Sequence, residues 1–541
     1  MRIGIGQTNA HVGAIERNTD RMLAFMGQAQ DAGCDLVVFP ELAVSGYSPM
    51  DLMWHAGFIE RCQAAIERLA AARTNLDVLV GTLASAPRSS IANRDNLSSV
   101  SDGALIDIFN RAVLLREGEI VPVADKIHLP SYDIYCEKRH YTSGSGSSVF
   151  EIRDICIGVN ICEDLWIDDG PTDVQASLGA DWIINLSASP FYAGKPEIRQ
   201  RLAARRIRET GAGIVYVNTV GGQDGVVFDG ASFIMNRESR LIFQAPAFRE
   251  GLFVVDLTHP TPIARSVPNE MEQLREAIIL GIRDYARKNG FEDVVIGVSG
   301  GIDSALVAAL AVDALGAGHV LSVFLPSEFS STESREDAAA LSKALGIRHD
   351  ELSIQSAFQA IRDTLPEPSE GLVDENIQPR LRGIVLMALA NQRHALVLCP
   401  GNKSEIALGY NTLYGDTVGA LAPIADLYKT QVNALARTYA PPIPERILSK
   451  PPSAELRPNQ RDTDDLAPYE VLDPVIQAAL ERNASRRELL AEGFPEPIVD
   501  NVLHRLRIHE HKRFQLPPGI KLSQKAFGVG RRLPLTNGYR S

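Results

Sequence analysis

Two short stretches of the chain carry residue types that chemistry can use. In Ser299-Gly-Gly-Ile-Asp-Ser304 a glycine pair follows the apolar run Val294-Val-Ile-Gly-Val298 and precedes a helix start. Glycines there let a backbone approach a bulky anion, and the helix start offers free N–H groups and a favourable dipole. Ser299 and Ser304 add hydroxyl donors, whereas Asp303 beside phosphates calls for a bridging Mg²⁺ ion. No Gly-Lys-Ser/Thr follows, so this is not a Walker loop, and a plain tight turn stands as the bland alternative. The second stretch is Gly158-Val-Asn-Ile-Cys-Glu-Asp-Leu-Trp166, where Cys162 sits at the point at which an apolar strand breaks into acidic residues. A cysteine nucleophile needs a base and an oxyanion partner. Glu41 ends the run Leu36-Val-Val-Phe-Pro-Glu41, and Lys126 precedes Ile-His-Leu-Pro130. Spacing alone does not bring these three together, and a cysteine judged in isolation is more often a small buried hydrophobe.

The elements that must position these residues fall into two groups. Through residues 1–260 short apolar runs (Asp35–Phe39, Leu76–Val80, Ile155–Val159, Trp182–Asn185, Ile214–Asn218) alternate with amphipathic segments such as Val12–Ala32 and Glu197–Thr210. Runs of that kind suit strands buried on both faces, in a layered α/β domain. The Pro-containing stretch 258–269 reads as a linker between a first domain, 1–257, and a second, 270–541. A helix over Glu270–Lys288 then leads into the Val294 strand, and Val320–Leu325 and Ala395–Cys399 continue a doubly wound sheet. The region 441–468 is rich in proline and polar residues, and reads as a lid over a substrate or as a solvated connector.

Composition narrows the class. A chain of 541 residues exceeds one ordinary core, and 45% apolar with 22% charged residues describes a folded soluble protein. A formal net charge of −13 with no sustained basic run argues against a general nucleic-acid binder. The N-terminus reads as a first strand rather than a signal peptide, and the apolar stretch Ser304–Leu315 is too short to span a membrane. The six cysteines form no C-x-x-C pair, which points to reduced thiols in the cytoplasm and away from zinc. His504, His509 and His511 read as a solvated helix face.

Against this background the motifs resemble two known families. Ser299-Gly-Gly-Ile-Asp-Ser304 is similar to the pyrophosphate loop of the ATP-pyrophosphatase superfamily. Glu375-Asn-Ile-Gln-Pro-Arg-Leu-Arg382, Gly401-Asn-Lys-Ser-Glu405 and Gly409-Tyr-Asn-Thr-Leu-Tyr-Gly-Asp416 resemble its NAD synthetase branch, and Lys512-Arg-Phe-Gln-Leu-Pro-Pro-Gly519 through Ala526-Phe-Gly528 resembles the glutamine-dependent form. The resemblance implies adenylation of deamido-NAD by ATP, followed by displacement of AMP by ammonia. ATP would meet Gly297, Ser299, Gly300, Gly301, Asp303, Ser304, Pro400 and Lys403, with Lys403 neutralising phosphate and Asp303 and Glu405 holding Mg²⁺. Deamido-NAD would meet Asn376, Arg380, Glu405 and Lys512, and Arg382 would lie near it or near an opposite subunit. Pro400 stands where the family usually has a threonine, so a hydroxyl contact to ATP is lost there.

Phe39-Pro-Glu41, Lys126-Ile-His-Leu-Pro130 and Ile161-Cys-Glu-Asp164 resemble the carbon–nitrogen hydrolase (nitrilase) superfamily over roughly residues 1–255. That implies a four-layer αββα fold in which Glu41 is the base, Cys162 the nucleophile and Lys126 the oxyanion partner. The Lys126 ammonium would also favour the thiolate. Glu137 matches a second acidic position of the site, and Tyr132, Glu163, Ser189 and Lys195 stand at family-like offsets for holding glutamine. His128 sits in the lysine motif without a role in the chemistry. The two resemblances together imply small-molecule substrates, no nucleic-acid or membrane partner, and a homo-oligomer, dimer or octamer. Two other readings stay open at this point: an amidase fused to an adenylating domain with another acceptor, such as a nucleotide base, and a binding protein that retains dead domains.

Overall fold

The computed structural model describes residues 1–539 apart from 56, 73, 88–99, 102–103, 260–268, 368–369 and 459. The chain divides into two compact units, one of Met1–Gln223 with Val227–Val267 and one of Asp224–Val226 with Pro268–Ser541. Most of the expected linker, 260–268, lies outside the described residues. Just after it Asn269 caps the helix Glu270–Lys288, accepting from Glu272 N at 3.0 Å while Glu272 Oε2 accepts from Asn269 N at 2.9 Å.

The first unit holds two sheets face to face. In one, the parallel strands Arg2–Gln7, Leu36–Val38 and Asp77–Pro87 are flanked by antiparallel neighbours, Gly251–Asp256 on one side and Ala104–Arg116 on the other. In the other, Ile155–Ile161, Trp182–Ser187 and Gly213–Asn218 run parallel at the centre. Alternate residues from both sheets, among them Ile5, Val38, Leu114, Val159, Leu186 and Val217, interleave in one core. The outer face of the second sheet is covered by the helix Lys195–Thr210 through Leu202, Ala203 and Ile207. The helices Ile15–Asp31 and Phe58–Ala71 pack over the first. Central strands covered on both faces read as continuous apolar runs rather than alternating ones, which is why the short runs stood out in the sequence. The expected αββα sandwich is the fold found.

The second unit is built on four parallel strands in the spatial order Arg348–Glu351, Val320–Phe324, Asp293–Gly297, Ala395–Val397. The order reverses between Asp293–Gly297 and Ala395–Val397, which defines the switch point where open α/β sheets bind ligands. The helix Ile302–Leu315 is apolar all round because it is enclosed on every side, from Ser304 to Ala311. Helices Tyr469–Glu481, Arg486–Ala491 and Glu496–Ile508 add a further core with Leu472, Ile476, Val499 and Val502.

Region 441–468 is not a free connector. It contains the helix Glu445–Ser449, and its contacts hold it to the unit: Arg446 with Asp337 and Glu336, Glu455 with Ser331 at 2.8 Å and Ser334 at 2.6 Å, and Gln378 Nε2 donating to Leu456 O at 3.0 Å. No helix among the described residues is long and apolar enough to cross a membrane. All six cysteines are free.

Candidate active sites

In the first unit the strands deliver the expected residues to one place. Glu41 lies just beyond the strand Leu36–Val38, Lys126 directly follows Glu119–Asp125, and Cys162 directly follows Ile155–Ile161. All three are buried. The Glu41 turn is pressed against the strand Asp77–Pro87 so closely that a Cβ on Gly81 would meet Pro40 O at 2.4 Å and Leu42 N at 2.6 Å. Only glycine fits there. Lys126 Nζ stands 2.8 Å from Glu41 Oε1 and 2.8 Å from Glu137 Oε1. Asn110 Nδ2 donates to Glu41 Oε1 at 2.7 Å, and Ala188 N to Glu41 Oε2 at 2.8 Å, so the carboxylate is held from several sides.

Cys162 itself has φ +48°, a left-handed conformation uncommon outside glycine. Backbone of that kind persists where surrounding structure enforces it, and active sites are a common place. Asp164 enforces it here: its carboxylate accepts from His128 N at 2.8 Å, Ile127 N at 3.2 Å and Ile161 N at 3.3 Å, tying the lysine segment to the cysteine turn.

The charges sort as follows. Burial alone would lower the Lys126 ammonium, but Glu137 and Glu41 outweigh it and hold the ammonium well above its usual range. Burial pushes the Glu137 carboxyl up to about 7 against the pull of Lys126. The Cys162 thiol is driven well above its ordinary value, first by burial and then by Glu41, with Lys126 opposing. Lys126 does favour the thiolate, as expected, but burial and Glu41 outweigh it: its charge is shared by two carboxylates, and the thiol is the favoured form.

Of the glutamine-binding candidates, Tyr132 and Glu163 pair at 2.9 Å near the nucleophile. Lys195 Nζ lies over the Trp166 ring at 4.1 Å from its centroid and over Tyr192 at 5.3 Å, and burial brings its ammonium down to about 8. Ser189 is placed differently: it is buried, its hydroxyl accepts from Arg199 Nε at 3.1 Å, and Arg199 is itself paired with Asp229 at 2.7 Å. The side chains that sequence reasoning passed over are Tyr47, Asn110 and Asp164. Tyr47 donates to Glu137 Oε1 at 2.7 Å, and only Asp164, inside the cysteine motif, carried a sequence signal.

In the second unit the Ser-Gly-Gly loop and the Gly-Asn-Lys-Ser-Glu segment leave the two strands that flank the switch point. Gly297 closes the first of these strands, with Leu386 3.1 Å from where its Cβ would be. Gly300 has φ +78°, and a Cβ there would meet Ser334 O at 2.6 Å, so both conformation and space demand glycine. Gly301 begins the helix turn, its N donating to Ser299 Oγ at 3.2 Å, while Ser304 Oγ returns to Gly301 O at 3.1 Å and meets Ser299 Oγ at 3.3 Å. Asn402 caps the helix Lys403–Leu408 through Glu405 N and also donates to Asp303 Oδ1 at 2.9 Å, joining the two segments. Pro400 is half-buried just ahead of that cap.

The cation at this junction is not the expected one. Lys403 is fully buried, with its ammonium committed to Asp426 at 2.8 Å, Ser523 Oγ at 2.7 Å and Lys525 O at 2.8 Å. Those partners leave it no donor for phosphate, so it braces the C-terminal tail. Lys429 takes its place: its ammonium is paired with Asp303 and lies 3.5 Å from Glu405 Oε1. Burial, reinforced by Asp303, raises the Glu405 carboxyl to about 8. Lys429 was missed because it lies 26 residues beyond Lys403, at the start of a different helix, Lys429–Arg437.

The expected dinucleotide contacts gather on one segment. Thr412 Oγ1 donates to Asn376 Oδ1 at 2.7 Å, Arg380 Nε to Leu413 O at 3.1 Å, and Lys512 Nζ to Gly409 O and Asn411 O at 2.8 and 2.7 Å. Arg382 instead turns inward, donating to Leu325 O at 2.9 Å, and burial lowers its guanidinium to about 10. Of the histidines, His509 is not on a solvated face: a Cβ on Gly409 would touch its ring at 2.2 Å, and burial holds its imidazole down to about 4. Among the described residues no three His, Cys, Asp or Glu side chains are grouped to hold a metal ion. Asp303 and Glu405 provide an oxygen-only pair, the donor type that suits Mg²⁺, an ion that completes its shell with water and phosphate oxygens.

An αββα sandwich with a buried Glu–Lys–Cys cluster, in one chain with a doubly wound unit carrying a glycine-rich turn and paired carboxylates, defines a cysteine amidohydrolase joined to a nucleotide-using synthetase. The family comparisons agree with this division: residues 2–261 match carbon–nitrogen hydrolase and residues 274–517 match NAD synthase. The glutamine-dependent NAD(+) synthetase of Xylella fastidiosa (strain Temecula1) is 41% identical over 100% of this chain and 99% of its own length, and that of Aquifex aeolicus is 36% identical over 100% of both. Among solved structures, the glutamine-dependent NAD(+) synthetase of Acinetobacter baumannii, in complex with adenosine diphosphate, has a TM-score of 0.77 at 33% identity over 100% of this chain and 99% of its own. The Cytophaga hutchinsonii enzyme, at 22% identity and a TM-score of 0.83 over 99% and 98%, shows the same fold. The chain belongs to the glutamine-dependent NAD(+) synthetase family.

Proposed function

We propose that this chain hydrolyses glutamine at Cys162 and uses the ammonia, with ATP and Mg²⁺, to convert deamido-NAD to NAD through an adenylate. The observation that carries the first half is the Lys126 ammonium shared at 2.8 Å by Glu41 and Glu137 beside a buried thiol. Because the thiol is the resting form, a base must take its proton as sulfur attacks the side-chain amide of glutamine. Glu41 does so, and Lys126 supplies positive charge where the tetrahedral oxyanion develops. Glu41 then returns the proton to the leaving nitrogen, ammonia departs, and water hydrolyses the thioester to glutamate. Lys195, with no carboxylate in ion-pair range among the described residues, takes the substrate carboxylate, and Glu163 with Tyr132 takes the amine.

In the synthetase unit the Ser299–Ser304 turn cradles the ATP phosphates with backbone N–H groups and hydroxyls. Mg²⁺ would be held by Asp303 and Glu405 and, when bound, lowers the charge barrier to losing pyrophosphate. Lys429 adds a compact positive charge on the same carboxylates. Asn376, Arg380 and Lys512, arranged around Gly409–Asp416, orient the dinucleotide. The nitrogen that replaces AMP comes from the glutaminase unit, or from ammonium in the medium.

The test compares glutamine with ammonium as nitrogen donor, with deamido-NAD as acceptor. Cys162→Ala should abolish NAD formation from glutamine and leave the ammonium-supported rate in place. Loss of both rates would contradict two independent centres, and failure of the unsubstituted enzyme to amidate deamido-NAD would refute the assigned acceptor.

A further inference from the structure

The carboxylate read above as the glutaminase base is held unevenly. Glu41 Oε1 accepts from Asn110 Nδ2 at 2.7 Å and from Lys126 Nζ at 2.8 Å. Its other oxygen, Oε2, accepts among the described residues from Ala188 N alone, at 2.8 Å. A carboxylate oxygen has two lone pairs with which to accept. Both positions on Oε1 are filled, and one on Oε2 is open.

Asn110 fills the second position on Oε1. It lies in the strand Ala104–Arg116, where the next residue, Arg111, stands opposite Asp125, the residue before Lys126. Strand pairing therefore brings Asn110 beside Lys126, whose backbone N donates to Asn110 O at 2.8 Å. One residue thus holds the lysine by its main chain and the glutamate by its side chain. The Asn110 side chain is buried, and its carboxamide has one tenable orientation: turned over, it would set its oxygen against the carboxylate oxygen.

We propose that Asn110 is a positioning residue for glutamine hydrolysis: by closing Oε1 it leaves Oε2 as the atom that takes the Cys162 proton. This rests on the reading above, in which Glu41 is the base for Cys162. The S–H bond breaks with its electron pair left on sulfur, sulfur bonds to the amide carbon, and the proton goes to Oε2. From there the proton passes to the leaving nitrogen as the C–N bond breaks. The same oxygen serves again when water opens the thioester. A proton on Oε1 would instead face the Lys126 ammonium, so an open position there diverts the base from the sulfur. Asn110 acts through Glu41 and not on the substrate, so it changes turnover and not glutamine binding.

The test measures glutamate release from glutamine in the full chain. In Asn110→Leu, close in size and without a donor, kcat should fall roughly 10- to 100-fold, the scale of one hydrogen bond to a charged group. The KM for glutamine should stay within a few-fold of the parent. Because Glu41 is the base both in forming and in opening the thioester, kcat falls whichever step limits. Asn110→Asp keeps the shape, sets a second carboxylate against Oε1 and should show the same split; it decides the matter if the leucine variant does not fold. A kcat unchanged in both variants, or a KM that rises in step with the fall in kcat, overturns the proposal. A parent chain that releases no glutamate would instead remove the reading on which the proposal stands.

Discussion

Tyr47→Phe removes a single oxygen from the glutaminase site, and its effect follows from the charges there. The Tyr47 hydroxyl donates to Glu137 Oε1 at 2.7 Å, on the same oxygen that faces Lys126, while Glu137 Oε2 has no partner among the described residues. Burial already holds this carboxyl up at about 7, and the tyrosine is one of the groups that pull it down. A hydrogen bond to a charged group contributes about 1.5–3 kcal/mol, and at about 1.4 kcal/mol per pH unit its loss raises the carboxyl by about one to two units. With Glu137 needed as the carboxylate, the acid limb of glutaminase activity is expected near pH 7 in the parent and at roughly pH 8 to 9 in the variant. The assay is glutamate release against pH, with Glu137→Gln as the control in which this limb disappears. Stability provides a second sign. A carboxyl held above its ordinary 4.5 keeps a proton in the fold that the unfolded chain has released, so stability falls as pH rises from 4.5 through about 7. The tyrosine reduces that cost, so Tyr47→Phe should lose more stability at pH 8 than at pH 5. An acid limb that stays in place or moves down would refute the reasoning.

The two lysines of the synthetase unit should separate. Lys403→Met leaves the Asp426 carboxylate buried without its partner and should destabilise the fold by about 3–5 kcal/mol, seen as a lowered melting temperature with little change in apparent ATP affinity. Lys429→Met should instead slow pyrophosphate release, measured in a coupled phosphate assay, because its ammonium belongs to the Asp303–Glu405 cluster. Asp303→Ala should stop pyrophosphate release with either nitrogen donor, and an unaffected rate would remove it from the Mg²⁺ site. Pro400→Thr restores the usual family residue; an unchanged apparent ATP affinity would mean that the hydroxyl is dispensable in this chain.

Much of the fold was legible because its signals are local. Buried parallel strands announce themselves as apolar runs, and the glycine pair of the Ser299 turn records a backbone conformation that other residues resist. Strand limits shifted by one or two residues, and Asp77–Pro87 ran well past its expected end, because edge residues respond to neighbouring strands that the local sequence does not contain. Region 441–468, ambiguous by composition, is held by Arg446, Glu455 and Gln378 to partners more than 70 residues away.

The sequence by itself determined which groups are present to react, Cys162 with Glu41 and Lys126, and Asp303 with its glycine turn, because motif chemistry is written in residue type and short spacing. Only the tertiary structure decided what state those groups are in. Whether Cys162 rests as thiol, whether Lys126 serves one carboxylate or two, and whether Lys403 or Lys429 faces the Asp303–Glu405 pair all depend on burial and on charges brought together from distant segments. Electrostatic energies depend on distance through space and on the depth of solvent exclusion, and neither quantity is encoded by position along the chain.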